Sequence, residues 1–181
     1  MANVFDVAKF FIILANQRAD DLMTNLKLNK MLYFAQGAYL ARTGSLLFED
    51  EIEAWQLGPV IPSVYRRYKV CGSNPIHEDK TEFSFSVLTD EERETLYDVV
   101  REFGKYTGAT LVNITHKGNT PWRKTIDSNL KIIDNKLIYD FFVEHPVPTF
   151  SEVINVPTVE VLPAEWYDPR EDEEWEEYLK S

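Results

Sequence analysis

Cysteine is almost missing from this chain of 181 residues, and histidine occurs only three times. A single thiol, Cys71, excludes an intramolecular disulfide, and with so few histidines the reading is a cytoplasmic protein without metal or cofactor. No apolar run approaches the roughly 20 residues that span a bilayer, so no membrane association is expected. The opening MANVFDVAKFFIILANQ has the look of a signal peptide. However, Asp6 and Lys9 interrupt its apolar run, no basic leader precedes it and no small-residue cleavage site follows. There is no phosphate-binding glycine loop and no G-x-S-x-G elbow. Cys71 and His77 lack a third group to orient them as a nucleophile–base pair. His77-Glu78-Asp79 lacks a partner cluster at ligand spacing, and Glu49, Asp50, Glu51 and Glu53 read as a solvated acidic face. The expectation is therefore no enzyme.

What the chain does have is apolar and aromatic content, at 44% and 13%, with 27% charged residues, enough for one globular core. The net charge of -11 is unevenly placed. From Val143 to Ser181 there are 11 acidic residues against Arg170 and Lys180, whereas Met1 to Phe142 holds 19 acidic and 17 basic residues. The division expected is a nearly neutral domain over 1–142 and a Pro-rich acidic arm over 143–181. Such an arm repels nucleic acid and is drawn to basic protein surfaces.

Apolar periodicity predicts a helix from about Val4 to Arg18, then a central one through LKLNKMLYFAQGAYLARTG, closed by Gly44 as its C-cap glycine. Tyr33, Phe34 and Tyr39 read as core aromatics. Leu46 to Gln56 reads as an irregular strand or extended loop. Gly58, Pro59 and Pro62 stiffen the residues after it, and a short helix, Ser63 to Val70, comes next. The alternating TEFSFSV suggests a strand or hairpin between Ser73 and Leu88. Thr89 and Glu92 form a capping box for a helix that buries Leu96, Val99, Val100 and Phe103 and stops before Gly108. Ala109 to His116 reads as another helix, KGNTPW as a turn, and Asp134 as the N-cap of a last helix to Val143. The fold class is mainly α: a compact helical domain with a small β-hairpin or strand pair and an extended acidic C-terminal arm.

Four stretches carry a more specific signal: DVAKFFI (Asp6 to Ile12), LKLNKMLYFAQGAYLARTG (Leu26 to Gly44), LLFEDEIEAWQLGPVIPSVYRRYK (Leu46 to Lys69) and ITHKGNTPW (Ile114 to Trp122). In order and spacing they resemble the Panacea domain, also called the SocA-like antitoxin or phage-associated GepA family. The resemblance covers roughly the first four-fifths of the chain, with Asn29 where the family often has glutamine. It implies a helical, non-enzymatic antitoxin whose partner is a cognate protein toxin. An alternative is a protease adaptor or a phage-encoded host-takeover binding protein. Nucleic acid is not expected as an unaided partner. The partner-binding residues expected on the body are Trp55, Pro59, Tyr65, Arg66, Arg67 and Trp122, because tryptophan, tyrosine and arginine dominate binding hot spots. The competing reading makes Trp122 a core indole packed on the Gly58-Pro59 turn, and Arg66, Arg67 and Lys69 a solvated face. In the arm, Trp166, Trp175 and Tyr178 stand among carboxylates. Trp175, Tyr178 and Leu179 share one face of a helical turn, which suits binding to a basic groove.

Overall fold

The computed structural model describes residues 1–16, 22–78 and 83–153. One helix is enclosed by the others. In α2, Asn25–Thr43, every residue from Asn25 to Leu40 is buried. It packs against α1 (Val4–Ala15), α3 (Pro62–Tyr68), α4 (Asp90–Phe103), α5 (Gly108–Thr115) and α7 (Asn135–Glu144). A helix walled in on all sides needs large apolar groups around its circumference, and Leu28, Met31, Leu32, Tyr33 and Phe34 supply them. Phe34 stacks on Phe103 of α4 at 3.9 Å, and Tyr33 meets the Phe142 ring of α7 edge-on.

The helix ends follow their local chemistry. The Thr24 hydroxyl accepts from the Lys27 amide, and Gly44, at φ 71°, returns its N–H to the Leu40 carbonyl. The Thr89–Glu92 capping box forms in both directions, at 3.2 and 2.8 Å. Asp134 caps α7, and Pro62 occupies the first turn of α3.

The sheet is two antiparallel strands, β1 (Glu53–Trp55) and β2 (Gly58–Val60), in register Glu53 to Val60 and Trp55 to Gly58. Lys131 to Ile133 runs along the outer side of β1, with the Ala54 amide on the Lys131 carbonyl and the Ile133 amide on the Ile52 carbonyl. No helix among the described residues is long and apolar enough to cross a membrane.

Several expectations are corrected. The alternating segment before Thr89 forms no strand among its described residues. Phe85–Val87 is a 3-10 turn capped by the Ser84 hydroxyl, and Phe83 and Phe85 both pack on the main core. Period-two alternation becomes a strand only when a neighbour completes the ladder, and among the described residues none pairs with it. Pro121-Trp122 does not end a turn. Pro121 opens α6 (Pro121–Asp127), with Thr120 as N-cap, the N-terminal place that suits proline. The helix α1 stops at Ala15, earlier than the periodicity suggested, whereas α4 ends at Phe103, before Gly108 as expected. After α7, Val147 is buried in the same core, and α8 (Phe150–Val153) is a single turn.

Candidate functional site

The central helix carries polar residues that have no route to water: Asn25, Lys27, Asn29, Lys30 and Gln36 are all buried. Most of their partners are backbone groups of the irregular segment between α2 and α3. The Gln36 carbonyl oxygen accepts from the Leu47 and Phe48 amides at 2.9 and 3.2 Å, while its amide donates to the Phe48 carbonyl at 3.0 Å. Asn29 accepts from the Ile61 amide at 2.9 Å and donates to Asn25, which donates to the Tyr65 carbonyl at 3.1 Å. The Lys30 ammonium donates to the Pro59 carbonyl at 3.0 Å. A buried loop with little sheet leaves amides and carbonyls that must be paired. Here one helix pairs them, and the hairpin and α3 are thereby fixed to the core.

Two close approaches tighten this docking. Gly58 has φ +98°, and a β-carbon there would lie 2.7 Å from Lys30 Cε and 2.8 Å from Thr115 Oγ1. The Trp122 indole N–H donates to the Trp55 carbonyl at 2.7 Å, joining α6 to the hairpin. His116 stacks on Trp122 at 3.8 Å and 9°, and the Arg123 guanidinium lies 5.0 Å from the indole centroid. The buried His116 Nε2 has no hydrogen-bond partner among the described residues.

This setting holds both bases toward their neutral forms. Burial pulls Lys30 down from 10.5 to about 7. Burial first, then the positive charges of Lys30 and Arg123, pull His116 down from 6.5 to about 4. Tyr68 is shifted upward by burial and by its 2.9 Å hydrogen bond to Glu78, so its hydroxyl stays protonated. Among the described residues no group of three or more histidine, cysteine, aspartate or glutamate side chains could hold a metal ion.

The structure thus brings together most of the residues expected to contact a partner, but on the inner side of the hairpin. Pro59, Tyr65 and Trp122 are buried and Trp55 is half-buried, its ring meeting Tyr65 edge-on at 4.8 Å. The Trp55 indole N–H donates to Glu53 at 2.7 Å, and Glu53 pairs with Lys131 at 3.1 Å. Arg66 and Arg67 face outward from α3, joined by exposed Lys69 and by Val70, which is 92% exposed. Trp166, Trp175 and Tyr178 lie outside the described residues. Reading the sequence missed Asn25, Asn29, Lys30 and Gln36. The available signal was a set of polar residues inside a helix whose other faces are all apolar.

Comparison with known protein families reaches this same block. The model of a family described as antitoxin SocA-like, Panacea domain, matches residues 28–123. Antitoxin SocA of Caulobacter vibrioides (strain NA1000 / CB15N) is 29% identical over 109 residues, covering 55% of this chain. The chain spans 58% of the length of that relative. No solved structure matches the chain.

Proposed function

Because this chain belongs to the SocA-like antitoxin family with the Panacea domain, we propose that it neutralises a cognate protein toxin by binding it directly. The observation that carries this reading is the coincidence of the family match with a hairpin and helix fixed to the core by buried hydrogen bonds. A surface whose backbone is already immobilised loses little conformational freedom on association, so more of its contact energy appears as affinity.

Two surfaces share the work in this reading. Arg66 and Arg67, with the open edge of Trp55, meet the toxin, while Pro59, Tyr65 and Trp122 hold that face in shape from behind. Trp166, Trp175 and Tyr178, set in the acidic arm, add a charge-driven contact to a basic groove on the toxin. A toxin that acts on RNA or nucleotides needs such a groove for phosphates.

Co-expression with the product of each adjacent gene tests the proposal. The expected result is restored growth with one neighbour and a complex that survives purification. Arg66→Glu with Arg67→Glu should weaken that complex without unfolding the chain. Growth rescue without any stable complex would overturn direct neutralisation. Accelerated loss of the neighbour's product would favour the adaptor reading instead.

A further inference from the structure

The helix α3 is too short to hold itself in place. It has seven residues, whereas isolated helices below about 12–15 residues are marginal in water. Its N-cap residue, Ile61, makes no side-chain cap, and Pro62 after it has no amide to donate. Its first turn, closed by the Tyr65 amide on the Ile61 carbonyl at 2.9 Å, is instead gripped from outside at both ends. Two asparagines one turn apart on α2 do this. The Asn29 carboxamide oxygen accepts from the Ile61 amide at 2.9 Å, and the Asn25 carboxamide nitrogen donates to the Tyr65 carbonyl at 3.1 Å. The two are also joined, because Asn29 Nδ2 donates to Asn25 Oδ1 and to the Asn25 carbonyl, both at 2.9 Å. Both side chains are fully buried, so these bonds do not compete with bulk solvent.

Apolar contact does less to fix the helix. Val64 and Tyr68 enter the main core, and Tyr65 joins a smaller cluster with Leu26, Leu57, Val60 and Val112. Hydrophobic contact is non-directional, so it holds α3 down while leaving it room to roll about its axis. A hydrogen bond weakens steeply off its line, and two of them on one turn oppose that roll. The next residues, Arg66 and Arg67, point outward. Their long side chains stand far from the helix axis, so a roll displaces their charged ends more than any buried group.

We propose that Asn25 and Asn29 are positioning residues for partner recognition. They fix the roll of α3, and through it the direction in which Arg66 and Arg67 meet the toxin. This rests on the toxin-binding reading above and names the pair that sets its contact face. The competing account leaves the roll to packing and gives the asparagines a share in stability alone.

Three variants of the full chain separate the two accounts. Asn25→Ala releases the Tyr65 carbonyl but leaves Asn29 on the Ile61 amide. Asn29→Leu, of similar volume, removes both the acceptor for Ile61 and the link to Asn25. Leu96→Ala, a core truncation in α4, lowers stability from another helix. Amide hydrogen exchange at residues 63–68, relative to residues 28–40, is expected to rise about tenfold in both asparagine variants and to keep its native ratio in Leu96→Ala. With a toxin in hand, Asn29→Leu should weaken capture about tenfold and Asn25→Ala several-fold, while Leu96→Ala leaves it within about twofold. Where Arg66→Ala and Arg67→Ala are already present, Asn29→Leu should add nothing, because the groups it positions are gone. An exchange ratio that neither asparagine variant changes would overturn the proposal. So would an affinity loss that Leu96→Ala reproduces, or one that adds in full to that of the arginine pair. Should Asn29→Leu fail to fold, Asn25→Ala carries the same tests. Failure of the native chain to capture any neighbour's product would remove neutralisation, while the exchange ratio still decides whether the asparagines hold α3.

Discussion

Replacing Gly58 by alanine isolates the docking of the hairpin onto the central helix. Two costs add at this position. A left-handed backbone conformation costs an L-residue about 1–2 kcal/mol, and φ here is +98°. The new methyl would also stand 2.7 Å from Lys30 Cε and 2.8 Å from Thr115 Oγ1. Lys30 has little room to move aside, because it is fully buried and its ammonium is held by the Pro59 carbonyl at 3.0 Å. Overpacking of this kind costs about 1–3 kcal/mol, so the total is about 3 kcal/mol, a large share of the roughly 5–15 kcal/mol that holds a domain folded. Gly44→Ala is the matched control. Its φ is +71°, but nothing lies within 4 Å of the position a methyl would take. It should therefore cost only about 1 kcal/mol. Thermal unfolding followed by circular dichroism measures both, with melting shifts of roughly 6–12 °C and 2–4 °C expected in turn. Equal costs at the two glycines would refute the claim that the Lys30–Thr115 contact, rather than backbone strain alone, requires glycine at 58.

The remaining predictions concern titration, the Asp98 hub and the indole latch. Lys30 is depressed from 10.5 to about 7 in the folded chain, so the unfolded chain binds the extra proton between those values and stability rises with pH across that window. Between pH 7 and 9.5 the native chain should gain about 3 kcal/mol relative to Lys30→Met, measured by urea unfolding. Parallel pH profiles would refute it. His116 is depressed to about 4, so its contribution is present above pH 6.5 and lost as pH falls toward 4. His116→Phe, which keeps a ring on Trp122, should flatten that loss, as read from melting curves between pH 7 and 4. Asp98→Asn leaves Arg42 and Arg101 without their shared carboxylate and should cost about 3 kcal/mol, with hydrogen exchange speeding up at 147–150. Trp122→Phe removes the 2.7 Å bond to the Trp55 carbonyl and should cost about 1–3 kcal/mol, checked by the same unfolding assay.

What the sequence by itself determined is the part governed by neighbours a few residues apart. The capping box at Thr89 and Glu92, Gly44 at φ 71°, Asp134 at the head of α7 and Pro62 in the first turn of α3 are local chemistry, and each is present. The same holds for the aromatic face of α2, because a 3.6-residue repeat assigns residues to faces before any partner is known. The short strand pair was legible in part: its first strand falls inside Leu46 to Gln56, read as an irregular strand or extended loop, but its pairing with Gly58–Val60 was not. The alternating FSFSV found no neighbour to pair with, whereas the Gly58-Pro59 stretch did.

Only the tertiary structure decided what lies against each face. Periodicity marks Asn29, Lys30 and Gln36 as polar, and polar ordinarily means wet. Their burial follows from a loop 11 to 32 residues further on that needs its backbone groups paired. Trp122 was legible as an indole near a proline turn, yet its bond to a carbonyl 67 residues away and the histidine on its face are products of packing. The place of the segment after α7 is more remote still, since Asp98 and two arginines hold Val147 and Pro148 there. Interactions across such separations depend on how whole elements come to rest against one another, and no local pattern in the chain encodes that.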